Sequence, residues 1–187
     1  IKNDFNTTLG KKYKLEAGQK SSYVKADNAL AFYDRSQGLN RYDSSKSNHF
    51  IYTENINAAY LMLGRDFKRW DFQLGLRAEQ TIVVGTQLVN GQDFNRNYAQ
   101  LFPNAVITRK FGENQSLEFN YGRRIRRPGY EQLNQLKFYL DPTTYKEGNP
   151  YLQPSITESF ELSHSYKQKI FTSIGYGHTR DNIIEVI

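Results

Sequence analysis

The side chains best suited to catalysis or metal binding are sparse and scattered in this sequence. It has three histidines, His49, His164 and His178, and no cysteine. The histidines lack the close spacing of a metal-binding motif, which favours ordinary surface or half-buried positions for them. No serine stands in a Gly-x-Ser-x-Gly context, and no two carboxylates form a recognisable cleft motif. We therefore predict that the protein is not an enzyme and has no metal site or cofactor.

Charged residues form a second group, because several of them occupy the polar positions of alternating segments. Those that we assign to the polar side of the strands, which faces the lumen if the sheet closes on itself, are Arg77, Glu79, Glu118, Arg124, Arg126, Glu158 and Glu161. Opposite charges on neighbouring strands can pair and hold the register of a sheet. Contact with a substrate is the alternative role. We favour the structural role because cross-strand pairing needs no additional assumption.

Aromatic residues are concentrated in the segment 128–154, among prolines and glycines. They are Tyr130, Phe138, Tyr139, Tyr145 and Tyr151. Tyrosine offers a stacking surface with a polar tip, and binding residues often lie on loops, so these five are our candidate ligand-binding residues. They could equally pack the loop against itself or form an aromatic girdle, and both roles stay open.

Strict alternation of apolar and polar residues defines the elements that would position these groups. It is clearest at Trp70, Phe72, Leu74, Leu76 and Ala78. A period of two places such residues on one face of a sheet. Similar alternation predicts about eight strands, at residues 2–9, 12–33, 50–66, 70–87, 97–111, 115–127, 155–167 and 170–186. The predicted fold is all-β, an antiparallel up-and-down meander of about eight long strands with almost no helix.

The predicted connections fall into two classes that alternate along the chain. Tight polar turns lie at residues 10–11, 67–69, 112–114 and 168–169, and long loops lie at 34–49, 88–96 and 128–154. Several strands reach the ~9–11 residues that cross a bilayer at a tilt. This arrangement indicates part of a transmembrane β-barrel with the long loops outside. On pattern alone, a soluble all-β carbohydrate-binding or adhesion module is the alternative.

The composition supports a barrel wall and argues against nucleic-acid binding. Tyr 14 and Phe 12 beside Met 1 are typical of sheets and membrane-interface girdles. No window approaches the ~20 consecutive apolar residues of a membrane-spanning helix. The net charge is +6, but the basic residues are scattered and accompany no recognition motif, so we predict no nucleic-acid partner. No linker-like stretch divides the chain, and we treat residues 1–187 as one unit.

Three spaced motifs in the second half of the chain resemble a known family. They are Tyr121-Gly122-Arg123-Arg124-Ile125-Arg126-Arg127-Pro128, Leu133-Asn134, and Tyr145-Lys146-Glu147-Gly148-Asn149-Pro150-Tyr151-Leu152-Gln153-Pro154. In this order they resemble TonB-dependent receptors, of the outer-membrane β-barrel type common in Bacteroidetes. The resemblance extends to Gly75-Leu76-Arg77-Ala78-Glu79, Leu101-Phe102-Pro103 and Asp181-Asn182-Ile183-Ile184. It departs from the family pattern at Gln135-Leu136 and Ser155.

The resemblance implies a transport function in the bacterial outer membrane. The implied parent protein is an active importer of a bulky nutrient such as a siderophore or oligosaccharide, with a barrel of roughly 22 strands. Its implied partners are the outer-membrane lipid, the energy-transducing protein TonB, an N-terminal plug domain and a nutrient ligand. On this expectation residues 1–187 are a fragment of the barrel wall, without the signal peptide, the plug and the remaining strands.

Overall fold

The computed structural model describes residues 1–10, 12–36, 38–89, 91, 93–141 and 143–185. Its long strands are β1 (Lys2–Leu9), β2 (Tyr13–Leu30), β5 (Asn48–Asp66), β6 (Trp70–Gln87), β7 (Phe94–Phe111), β8 (Gln115–Arg126), β11 (Ser155–Tyr166) and β12 (Ile170–Arg180). Two small hairpins lie in the connections: β3 (Tyr33–Asp34) with β4 (Arg41–Tyr42), and β9 (Phe138–Tyr139) with β10 (Tyr145–Lys146). The one described helix, α1 (Tyr130–Leu133), is a short turn. Within the described ranges, no helix is long and apolar enough to cross a membrane.

The long strands form one antiparallel sheet in the order β1-β2-β5-β6-β7-β8-β11-β12. Each strand pairs with the long strands that precede and follow it along the chain, which confirms the predicted all-β meander. The largest difference from the predicted bounds is in the last strand, which was expected to reach residue 186 but ends at Arg180. Asp181 adopts a φ of 53°, in the left-handed region, and a residue in that conformation interrupts an extended strand.

One face of the sheet is apolar across its width, and it is named the apolar face. One rung of the cross-strand register runs through Thr7, Leu15, Leu63, Leu74, Ala105, Tyr121, Phe160 and Tyr176. Leu74 is 47% exposed and Tyr176 is 66% exposed, so the described part of the chain leaves this face open. From Trp70 to Ala78 the face covers nine residues of β6, within the ~9–11 residues with which a tilted strand crosses a bilayer.

The opposite face, named the core face, carries most of the buried side chains. Phe50, Tyr52 and Val83 form a buried cluster there with Leu133 of α1. Residues that pack against this cluster are Ala26, Phe94, Tyr130 and Leu152. The cluster lies in the half of the sheet next to the long loops, because Phe50 is near the start of β5 and Val83 is near the end of β6. The segment 128–154 therefore folds over the core face.

The tight turns lie at the other end of the long strands. Gly112 adopts a φ of 73°, which its missing Cβ permits. Lys167 and Gln168 both adopt positive φ angles, 51° and 54°, as the central residues of type I′ hairpin turns do. The predicted turns at 67–69, 112–114 and 168–169 are thereby confirmed. In the predicted turn at 10–11, Lys11 lies outside the described residues.

Candidate ligand site among the long loops

Two parts of the segment 128–154 are joined through their backbones. The N–H of Gly148 donates to the carbonyl oxygen of Asn134 at 3.0 Å, and the N–H of Asn149 donates to that of Gln132 at 2.7 Å. The Asn48 side-chain amide of β5 donates to the Asn134 side-chain oxygen at 3.2 Å. The Leu133-Asn134 and Gly148-Asn149 motifs, which are separate in sequence, therefore meet at one place above the core face.

Gly148 lies too close to the backbone around α1 to accept a side chain. A Cβ at this position would fall 2.7 Å from the carbonyl oxygen of Glu131 and 2.8 Å from that of Gln132. We expect Gly148→Ala to displace this half of the loop and to lower the free energy of unfolding by about 1–3 kcal/mol, the usual cost of overpacking. Hydrogen exchange of residues 143–153 measures the displacement directly.

Gly129→Ala is the matched control for Gly148→Ala. Gly129 has an ordinary φ of −69°, and a Cβ there would meet nothing nearer than the Gln132 Oε1 atom at 3.9 Å. We expect this variant to keep the protection of the native chain. If both alanine variants exchange at the same rate, the close approach of Gly148 to the backbone does not hold the loop.

Two arginines hold the ends of the same loop. Arg127 directly precedes the segment 128–154. Its guanidinium forms an ion pair with Glu79 and donates to the Thr81 hydroxyl at 3.0 Å. Near the last residues of the segment, the Arg96 guanidinium donates to the carbonyl oxygens of Pro150 and Leu152. Neither Arg96 nor Arg127 was singled out as a site residue by the sequence analysis. Arg127 does belong to the arginine-rich motif, but no local pattern distinguishes it from Arg124 or Arg126.

A cleft of about 500 Å³ opens between the loop that precedes β5, the end of β6 and the segment 128–154. This volume is within the ~300–1,000 Å³ range of small-molecule sites. Its lining is rich in hydroxyl and amide groups, with two lysines, one carboxylate and one tyrosine: Ser44, Ser45, Lys46, Ser47, Asn48, Gln87, Gln135, Lys137, Glu147, Asn149 and Tyr151. Such groups can hydrogen-bond a polar ligand on several sides.

The five aromatic candidates divide into three positions. Tyr130 packs against the buried cluster and supports the loop. Phe138, Tyr139 and Tyr145 are exposed on the β9–β10 hairpin, where the two tyrosine rings lie 5.6 Å apart. Tyr151, which is 79% exposed, lines the cleft. The ammonium group of Lys137, another cleft residue, lies 4.6 Å from the ring centroid of Tyr145, so the hairpin and the cleft are neighbours.

Asp141 orders the tip of the β9–β10 hairpin. Its carboxylate accepts hydrogen bonds from the backbone N–H of Thr143 at 2.7 Å, the Thr143 hydroxyl at 2.8 Å and the backbone N–H of Thr144 at 2.8 Å. These hydrogen bonds, led by that from the Thr143 backbone, lower the pKa of Asp141 from its ordinary value of 3.8 to about 2. The carboxylate therefore stabilises the hairpin fully above its ordinary pKa and less as the pH falls towards 2.

We expect the amide protection of Thr143 and Thr144 to be constant from neutral pH down to about pH 4.5 and to decline between about pH 4 and pH 2. Hydrogen exchange, corrected for the intrinsic dependence of exchange on pH, measures this directly. Asp141→Asn keeps an acceptor oxygen but cannot titrate, so its profile should be flat. An equal decline in the asparagine variant would assign the effect to another group.

Several of the charges assigned to the lumen make contacts within a strand or with hydroxyl groups. Arg77 and Glu79 of β6 approach to 3.4 Å, and the Glu79 side chain is only 6% exposed. Glu118 of β8 accepts a hydrogen bond at 3.2 Å from the Thr108 hydroxyl of the neighbouring strand β7. Glu161 accepts one from the hydroxyl of Ser163 on its own strand at 2.8 Å. Both Arg124 and Arg126, on the same side of β8 as Glu118, are exposed.

Glu158 contacts arginines on both neighbouring strands. The registers of β11 with β8 and β12 are unbroken, so Glu158 lies on the side of Phe160, whereas Glu161 lies on the other side. Glu158 faces Arg123 at 3.8 Å and Arg180 at 3.6 Å. Arg123 also donates to Gln100 of the core face at 3.0 Å, and it lies beyond Asn104 and Gly122, the last paired residues of β7 and β8. The lumen assignment of Glu158 therefore stays a prediction.

The three histidines lie apart in the structure. The His49 imidazole contacts the Asp27 carboxylate at 2.9 Å, while His164 and His178 stand at opposite halves of the β11–β12 pair. In the part of the chain that the structure describes, no three His, Cys, Asp or Glu residues are grouped as a metal site requires.

An apolar face left open by the described residues, with tight turns at one end and packed loops at the other, defines part of the wall of a membrane β-barrel. A family model described as "Outer membrane protein beta-barrel family" matches residues 1–187. The chain belongs to this family, and its location is the bacterial outer membrane. The soluble all-β module is thereby excluded as its class. No curated protein matches the chain.

Among solved structures, the chain is similar to the crystal structure of the ferric citrate transporter FecA in its unliganded form. The TM-score is 0.57 and the sequence identity is 15%, over 94% of this chain and 26% of that chain. At this identity the likeness shows the fold alone. The chain spans about a quarter of the length of that transporter.

Proposed function

We propose that the chain is part of the barrel wall of an active importer that is coupled to TonB and takes up a bulky nutrient such as a siderophore or oligosaccharide. The observation that carries this proposal is the polar cleft beside exposed aromatic residues at the long-loop end of a barrel-wall sheet. In outer-membrane barrels the long loops face the exterior, where a nutrient first meets the protein. The order of the three sequence motifs supports the same class of importer.

Within this importer, the proposed ligand contacts are Phe138, Tyr139 and Tyr145 of the hairpin and Tyr151 at the cleft. Their exposed rings offer stacking surface, and the cleft offers hydroxyl and amide groups for hydrogen bonds. Tyr130 positions the loop from below. The proposed role of the lumen charges is structural, and the proposed partners of the whole protein are TonB and a plug domain. We propose no catalytic step.

The test is uptake by cells that carry the native protein, with labelled iron chelates and oligosaccharides as the panel of nutrients. We expect deletion of the protein to abolish energised uptake of at least one of them. Ferric citrate belongs to the panel because the structural relative is a ferric citrate transporter. If the deletion cells take up every nutrient of the panel at the native rate, with and without energisation of the membrane, the proposed import function is wrong.

For the nutrient identified in this way, Tyr139→Ala with Tyr145→Ala should reduce uptake about tenfold, as expected for the loss of two stacking contacts of about 0.7 kcal/mol each. The matched control is Tyr33→Ala with Tyr42→Ala, which removes an exposed aromatic pair from the β3–β4 hairpin. If the two double variants lose the same fraction of uptake, the β9–β10 hairpin is not a specific contact of the nutrient.

A further inference from the structure

The tight-turn end of the apolar face carries a continuous row of aromatic rings and guanidinium groups. The Arg65 guanidinium lies 4.3 Å from the ring centroid of Tyr13 and 4.1 Å from that of Phe67. The Arg109 guanidinium lies 5.0 Å from the Trp70 ring and 4.7 Å from the Phe111 ring. Each arginine therefore lies within cation–π distance of two rings.

The same row is continuous between the two arginines. The Phe67 and Phe72 rings meet edge to face at 5.8 Å, and the Phe72 and Trp70 rings are stacked at 5.6 Å. The row, named the arginine–aromatic belt, consists of Tyr13, Arg65, Phe67, Phe72, Trp70, Arg109 and Phe111. It crosses from β2 to β7 at the edge of the apolar face.

The charge distribution around the belt is one-sided. Along the described long strands, the only carboxylates that the register places on the apolar face are Asp27 and Glu158, and both lie in the half near the long loops. At the tight-turn end the carboxylates of the strands point to the core face, where Asp66 pairs with Lys14 at 2.9 Å, and Glu113 is exposed in the turn between β7 and β8. Arg65 and Arg109 make no carboxylate contact among the described residues.

The hydrogen-bonding capacity of Arg65 is also incompletely used. Its guanidinium donates to the Tyr13 hydroxyl, and its Nε atom is buried without a hydrogen-bond partner among the described residues, so contact with an external phosphate would use the terminal nitrogens. Stacking occupies the faces of a guanidinium and leaves donors at its edge, where they match the oxygens of a phosphate. Both arginines thus present positive charge at the border of a lipid-facing band, and no described carboxylate pairs with either of them.

We propose that Arg65 and Arg109 each bind the phosphate group of an anionic phospholipid, in the leaflet that meets the tight turns. Aromatic girdles lie at the headgroup level of outer-membrane barrels, which places the belt beside lipid phosphates. The apolar face next to the belt accommodates the acyl chains of the same lipids. The two sites hold this part of the wall at one depth in the membrane, and they do not depend on the proposed import function.

Trp70 provides the test, because it is the only tryptophan of the chain and contacts Arg109. The full chain is placed in maltoside micelles, which contain no phosphate, and phospholipids with brominated acyl chains are added to quench Trp70. We expect phosphatidylglycerol to bind about fivefold more tightly than phosphatidylcholine, the usual effect of one basic residue at an anionic surface. Arg109→Gln should remove this preference, and Arg65→Gln should reduce it less.

Arg124→Gln with Arg126→Gln is the matched control, since it removes two exposed arginines outside the belt and should keep the preference. Arg109→Lys keeps the charge but cannot form a two-point contact with phosphate, so it should lower the preference without removing it. Far-ultraviolet circular dichroism checks that each variant keeps its sheet. If Arg109→Gln does not fold, Arg109→Lys takes its place in the test. A native preference for phosphatidylglycerol in Arg109→Lys would then overturn the proposal.

Two further results would overturn the proposal. One is equal binding of the two phospholipids to the native chain, and the other is a full preference in the Arg65→Gln, Arg109→Gln double variant. Inorganic phosphate at millimolar concentration should leave the quenching unchanged. Relief of quenching by free phosphate would assign the sites to a soluble anion instead of a lipid.

Discussion

Arg127→Gln is expected to lower the free energy of unfolding by about 3 kcal/mol, because it leaves the Glu79 carboxylate inside the protein without its main counterion. The Glu79 side chain is 6% exposed and that of Arg127 is 20% exposed, so water replaces little of the lost interaction. Arg77 lies 3.4 Å from the same carboxylate and limits the loss without removing it. Equilibrium urea unfolding in detergent, followed by circular dichroism, measures the difference.

The same substitution should also release the start of the segment 128–154, because Arg127 connects it to Thr81 and Glu79 of β6. We expect faster hydrogen exchange around Leu133 in the variant. Arg124→Gln is the matched control, since Arg124 is exposed and lies three residues away in the same arginine-rich motif. If the two variants unfold at the same urea concentration, the buried ion pair contributes nothing measurable to stability.

Leu74→Arg is expected to cost about 2–4 kcal/mol when the chain is embedded in a bilayer, the known cost of an arginine at the middle of a lipid-facing strand. Leu74 stands on the rung shared by all the long strands, and its side chain is 47% exposed from the protein. The new guanidinium would therefore have to sit in hydrocarbon. Urea unfolding of the variant in phospholipid vesicles measures the cost.

Gln73→Arg is the control for Leu74→Arg, because Gln73 is exposed on the opposite face of the same strand. We expect the free energy of unfolding of this variant to stay within about 0.5 kcal/mol of the native value, as is usual for surface substitutions. Equal costs for the two arginines would mean that the apolar face does not meet lipid. The pair of substitutions therefore tests which side of the sheet faces the membrane.

The strands were predictable because alternation is a local property of the sequence. The alternation from Trp70 to Ala78 assigns each side chain to one face of the sheet, and polar turn residues mark where the chain reverses direction. The end of β12 was placed six residues too late, because the apolar residues after Asp181 continue the strand pattern while Asp181 adopts the left-handed backbone that aspartate tolerates. The face of Glu158 stays a prediction, since its register places it on the side of Phe160 whereas its partner Arg123 contacts Gln100 of the core face.

The candidate site was predictable only as a set of aromatic residues in one loop. Tyr130 belongs to the support of that loop, while Tyr139 and Tyr145 meet on an exposed hairpin and Tyr151 lines a cleft. These positions follow from contacts that hold the loop over the sheet. Arg96 reaches Pro150 and Leu152 from β7, and its importance has no signal in the neighbouring sequence.

By itself, the sequence determined the all-β meander, its apolar face and the alternation of tight turns with long loops, because each depends on residues a few positions apart. Only the tertiary structure decided which distant residues meet: Asn48 with Asn134, Gly148 with the backbone of α1, and Arg127 with Glu79. Such contacts depend on the strand registers that bring distant segments together and on a loop that folds back over the core face. Neither is encoded by a local period of apolar residues.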